Sequence, residues 1–117
     1  MYKPPSPADL SLLDKKQLTM CCFAEYSVYL HFGDGTIVTV ESAFEHVISG
    51  KRPHKYSFPI NDSKLMRLIA QRVEVLYAQS DGTLCLQFSN GDMLIIKGEN
   101  GPYEAYHIQY ARSQITV

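Results

Sequence analysis

A chain of 117 residues, 45% hydrophobic and 20% charged, is long enough to bury a core without disulfides or metal, and is expected to form a single domain over 1–117. Its formal net charge of -1 argues against a polyanion binder, so no nucleic-acid partner is expected. Three cysteines, an odd number without CxxC spacing, argue against a disulfide framework and point to a reducing, cytoplasmic setting.

The first residues hold Pro4, Pro5 and Pro7 where a secretory signal needs positive charge followed by an apolar stretch. Apolar runs such as Met93 to Ile96 fall far short of the roughly 20 residues of a membrane-spanning helix, so no membrane partner is expected. Leu10, Leu12 and Leu13 follow Ser6-Pro7 at helix-like spacing and predict a short amphipathic helix.

From Met20 the apolar residues alternate through Cys22, Ala24, Tyr26, Val28, Leu30 and Phe32, which predicts one long strand with a buried face. Neighbours Cys21 and Cys22 then point to opposite faces and read as small apolar fillers. The pattern breaks at Gly33-Asp34-Gly35 and resumes at Ile37, which predicts a hairpin. A three-residue loop sets Leu30 against Val38 and Val28 against Val40. A two-residue loop would put Val38 and Val40 opposite His31 and Tyr29 instead. The three-residue loop requires a left-handed Gly35. It leaves Glu25, Ser27, Tyr29 and His31 facing outward beside Ile37, Thr39 and Glu41.

After Phe44-Glu45, residues 49–61 hold Gly50, Pro53 and Pro59 with the basic cluster Lys51, Arg52, His54 and Lys55, and read as a solvated linker. Leu65, Met66, Leu68 and Ile69 predict a second helix capped by Asp62 or Ser63. Strand Val73 to Gln79 leads into an Asp81-Gly82 turn of ambiguous register, because Val73, Val75 and Tyr77 compete with Leu76 and Ala78 for the core face. The stretch Thr83 to Lys97 then repeats Ser27 to Glu41, 56 positions later, with Leu30, Phe32 and Gly35 recurring as Leu86, Phe88 and Gly91. Phe44-Glu45 is matched by Tyr103-Glu104, and a last strand is expected from Tyr103 to Ala111.

These elements predict an α+β fold, a mainly antiparallel sheet from two pseudo-repeated helix-plus-hairpin halves at about 8–48 and 62–111. The alternative is a small β-sandwich or half-open barrel.

The second half, with Asp-Gly-x-Leu-x-Leu-x-Phe-x-Asx-Gly from Asp81 to Gly91 and then Tyr103-Glu104-Ala105-Tyr106, resembles a family of small uncharacterised bacterial proteins that close on Tyr-Glu-x-aromatic. Val40-Glu41-x-x-Phe44 resembles that family's first half, and Tyr106 stands where the family pattern has Trp. The resemblance implies a bacterial cytoplasmic protein without an assigned activity, of a kind that includes immunity proteins for toxins. It carries over Glu41, Tyr103 and Glu104 and no catalytic residue.

His31, His46, His54 and His107 lack the close pairing of a metal motif, and no phosphate-cradling or nucleophile-elbow motif is present. No metal or other cofactor is expected, and the chain reads as a non-enzyme. The candidate binding residues are Tyr29, His31, Glu41, Tyr103 and Glu104. Eight tyrosines favour an interface, so the expectation is a protein-binding module, immunity-protein-like or a homodimer. The second reading is a small-ligand site or enzyme in which Glu41, Tyr103 and Glu104 line a cleft.

Overall fold

The computed structural model describes residues 10–11, 13–60, 62–98 and 106–109. These form two antiparallel sheets around one core and contain no helix of seven residues or more. The α+β expectation is therefore corrected to an almost all-β fold. One sheet orders its strands β1 (Leu18–Phe23), β2 (Val28–Phe32), β3 (Ile37–Val40) and β9 (Tyr106–Gln109). The other runs β5 (Pro53–Tyr56), β4 (Phe44–Val47), β8 (Met93–Ile96), β7 (Leu84–Phe88) and β6 (Val73–Ala78).

The second predicted helix is a single turn, and the first lies partly outside the described residues, of which Leu10 and Ser11 are helical. Leu65–Leu68 is a 3-10 helix with Leu65 and Leu68 buried, and the Ser63 hydroxyl accepts the Leu65 N–H. A spacing of three residues suits a 3-10 turn as well as an α-helix, which is why the apolar pattern misleads. Each turn stops at a residue with positive φ, Lys15 (62°) and Ala70 (75°), after which the chain enters a strand.

Those two residues mark a pseudo-two-fold crossing between the halves. Lys15 N–H donates to the Val73 carbonyl as Ala70 N–H donates to Leu18, and Leu18 N–H donates to Gln71 as Val73 N–H donates to Lys16. Leu13 and Leu68, just before the crossing, are both fully buried.

Three hairpins share one loop design. Phe32 N–H donates to Thr36, Gln79 to Thr83 and Phe88 to Asp92, each across three residues. In each loop the central Asx side chain accepts the N–H two residues on: Asp34 from Thr36, Asp81 from Thr83, Asn90 from Asp92. Gly35 and Gly91 have φ of 92° and 91°, and Leu30 pairs with Val38 and Val28 with Val40, as the register argument requires. The ambiguity at β6 is resolved by a bulge between Val73 and Val75, which turns Val73 inward while Leu76 and Ala78 keep the core side.

The long first strand is corrected to two. Ala24 N–H donates to Ser27 across a tight turn at Glu25-Tyr26, so Cys21, opposite Leu30, faces the core and Cys22, opposite Tyr29, faces out. The segment read as a linker contributes β5, which pairs along β4 from Phe44 with Tyr56 to Val47 with Pro53.

The fourth strand of each half is exchanged. β4 pairs with β8 of the second half, Phe44 opposite Ile96, and β9 pairs with β3 of the first, Tyr106 opposite Val40. Because Ile96 is the repeat equivalent of Val40, the counterpart of Phe44 is Tyr106, which corrects the pairing of Phe44-Glu45 with Tyr103-Glu104. Phe44, Val40, Ile96 and Tyr106 all lie in the core cluster.

Candidate functional site

Tyr29 and His31 alternate along β2 with buried Val28, Leu30 and Phe32, so both side chains stand on the outer face of the four-stranded sheet. The pairing sets Tyr29 between Cys22 and Thr39, and His31 between Met20 and Ile37. Met20 and Tyr29 are exposed, and in the β1–β2 turn Tyr26 is exposed to 64%, while exposed Phe23, opposite Val28, stands on the sheet's other side. A face that keeps this much aromatic and thioether surface in water is suited to a second macromolecule. Glu41 follows β3 and is exposed. Tyr103 and Glu104 lie outside the described residues. Glu45, aligned with Glu104 in the sequence repeat, receives the Lys97 ammonium at 3.0 Å.

A second constellation escaped the sequence reading. Asp92 enters β8 directly after the Asn90-Gly91 turn, and both it and His46 on β4 are fully buried. Arg67, from the 3-10 turn, grips the Asp92 carboxylate side-on, Nε to Oδ2 at 3.0 Å and Nη2 to Oδ1 at 3.1 Å. His46 Nε2 lies 2.9 Å from Oδ2, and the Ser49 N–H donates to Oδ1 at 3.0 Å. An ionised carboxylate only accepts, so Nε2 carries the hydrogen. His46 Nδ1 is left buried without a partner among the described residues.

Burial pushes the Asp92 carboxyl up, but the Arg67 guanidinium and the Ser49 and His46 donors outweigh it and hold it at about 2. The result is a charge-neutralised knot that ties β4, β8 and the 3-10 turn together. The Arg67 side chain remains 43% exposed at its edge. With His46 walled in and all four polar contacts of Asp92 made inside the protein, the cluster acts as a brace. The signal for it in the sequence is slight: an acid immediately before the apolar run Met93 to Ile96.

Among the described residues no group of three or more His, Cys, Asp or Glu side chains is placed to hold a metal ion. No described helix is long and apolar enough to cross a membrane. Comparison with protein-family models, with curated proteins and with solved structures finds no match.

Proposed function

We propose that the chain is a protein-binding module that docks a protein partner on the outer face of its four-stranded sheet. The observation that carries this reading is the exposed pair Met20 and Tyr29 on that face, with exposed Tyr26 in the adjoining β1–β2 turn. Tyrosine supplies large contact area at low conformational cost, methionine adds an adaptable apolar surface, and His31 beside Tyr29 adds a polar contact able to set register with a partner. Glu41, one residue beyond β3, adds negative charge near the same sheet. Three free cysteines support a reducing, cytoplasmic setting. The bacterial-family resemblance points to a toxin as one class of partner.

A photoreactive phenylalanine analogue placed at Tyr26 in the native cell tests the proposal. It is expected to give one discrete adduct with another protein, absent when the probe stands at Lys55 on β5, and lost on adding Met20→Asp without a change in melting temperature. Equal labelling from Tyr26 and Lys55 would reject the docking face.

A further inference from the structure

We propose that β6 is a pairing edge whose occupant is β6 of a second copy of this chain, joining two five-stranded sheets across a two-fold axis at Leu76. The inference is independent of the docking face on the other sheet. Of the two edges that the five-stranded sheet has among the described residues, β5 carries Pro53, which has no N–H to offer, and exposed Lys55, both of which discourage strand addition. From Val75 to Ala78, β6 has no such guard on its own strand, and Val75 and Tyr77 are exposed to 48% and 47% on its outer face.

The ladder decides which groups are available. Gln79 and Thr83 form a hydrogen-bonded pair, so in the continuous register from Ala78–Leu84 to Val75–Gln87 the hydrogen-bonded pairs are Tyr77–Cys85 and Val75–Gln87. Leu76 and Ala78 therefore turn their N–H and C=O groups away from β7, toward the open side.

A two-fold axis at Leu76 uses those groups: Leu76 bonds its own copy, and Ala78 meets the Glu74 carbonyl. That carbonyl already accepts the Lys15 ammonium at 3.3 Å and has a second lone pair. The same register sets Val75 against Tyr77 of the copy, twice, as close non-hydrogen-bonded pairs of a β-branched and an aromatic side chain, a favourable cross-strand combination. An axis at Val75 or Tyr77 would also bring outward-facing groups together, but it would pair each of those side chains with its own copy instead of Val75 with Tyr77.

Charge agrees with this direction. Lys15 and Arg72 against Glu74 leave a positive excess where β6 begins, and Asp81 sits in the turn beyond its end. Antiparallel pairing lays each copy's basic end beside the other's acidic turn. The start of β1, the other open strand near this corner, is bonded to Ala70 and Gln71.

Sedimentation of the full chain tests the proposal. The wild type is expected to show a species of twice 13.2 kDa with a dissociation constant of roughly 10 µM, as suits a short ladder. Val75→Lys, on an exposed position, and Ala78→Pro, which deletes an N–H that β7 does not use, should each weaken the dimer by about tenfold or more. If Ala78→Pro fails to fold, Val75→Lys decides. A wild type that stays monomeric to about 1 mM, or a dimer that resists Val75→Lys or is weakened by Met20→Lys instead, overturns the proposal.

Discussion

Asp92 occupies in the second half the place that Thr36 occupies in the first: each closes a three-residue hairpin loop, each donates its N–H to the loop's Asx side chain, and each is fully buried. Their side chains fare differently. Asp92 accepts four hydrogen bonds, while the Thr36 hydroxyl has no partner among the described residues. Opposite stability effects follow. Asp92→Ala strands the Ser49 N–H and the His46 ring and is expected to cost about 3 kcal/mol. Thr36→Val keeps the shape and removes an unsatisfied hydroxyl, so it should be neutral or stabilising by up to about 1 kcal/mol. Urea unfolding of the two variants checks both signs, and a costly Thr36→Val would mean that the hydroxyl is bonded in solution.

Acid stability should track Asp92. Its folded carboxyl is held at about 2, below the ordinary value of 3.8. A depressed carboxyl stabilises the fold above its unfolded value, and that contribution is lost as pH falls from about 4 toward 2. Asp81, through the backbone N–H of Thr83, and Asp34, against burial, through the backbone N–H of Thr36 and the Lys16 ammonium, are shifted the same way. Asp92→Asn is expected to be less stable than wild type at neutral pH yet to show a flatter fall in melting temperature between about pH 5 and pH 2. Parallel acid limbs in the two proteins would assign the loss to other groups.

Gly91 and Gly50 separate backbone strain from crowding. Both have positive φ, 91° and 76°, but a Cβ on Gly91 would sit 2.8 Å from the Ser49 hydroxyl whereas one on Gly50 meets nothing within 4 Å. Gly50→Ala should therefore cost about 1 kcal/mol, the left-handed penalty alone, and Gly91→Ala clearly more, because the Ser49 segment that reaches Asp92 must shift. Thermal melts of the pair measure the difference, and equal losses would show that Ser49 yields freely.

Tyr106 offers a test of the exchanged strand. Its phenol donates to the Gly82 carbonyl at 2.7 Å in a buried setting, fastening β9 to the loop between β6 and β7. Tyr106→Phe keeps the ring in the core and is expected to lower stability by about 1 kcal/mol, read from the urea midpoint at unchanged slope. A changed slope would mean that β9 had come away from β3.

Local chemistry was legible in the sequence wherever a loop announced itself. Gly33-Asp34-Gly35 and Ser89-Asn90-Gly91 fix both hairpin registers, and with them the outward placement of Tyr29 and His31. The turn at Glu25-Tyr26 lacks glycine, so the alternation of Met20 through Phe32 reads straight across it and hides a change of face at Cys21. Leucines at three-residue spacing do not distinguish one 3-10 turn from the start of an α-helix. Strand exchange is invisible to a repeat alignment, since Phe44 finds an aromatic at Tyr103 before it reaches Tyr106. The knot of His46, Arg67 and Asp92 draws on three elements far apart in the chain, and nothing local in any of them signals the other two.

The exchange of β4 and β9 also sets an order of events during synthesis. When the first half has emerged, β1, β2 and β3 can form their ladder, but the far side of β3 stays open until Tyr106–Gln109 has left the ribosome. β4 likewise waits for β8. Both closures span a large part of these 117 residues, so the nascent chain carries two unfilled strand positions from the emergence of β3 and β4 until β8 and β9 follow, and its exposure to wrong pairing is greatest in that interval.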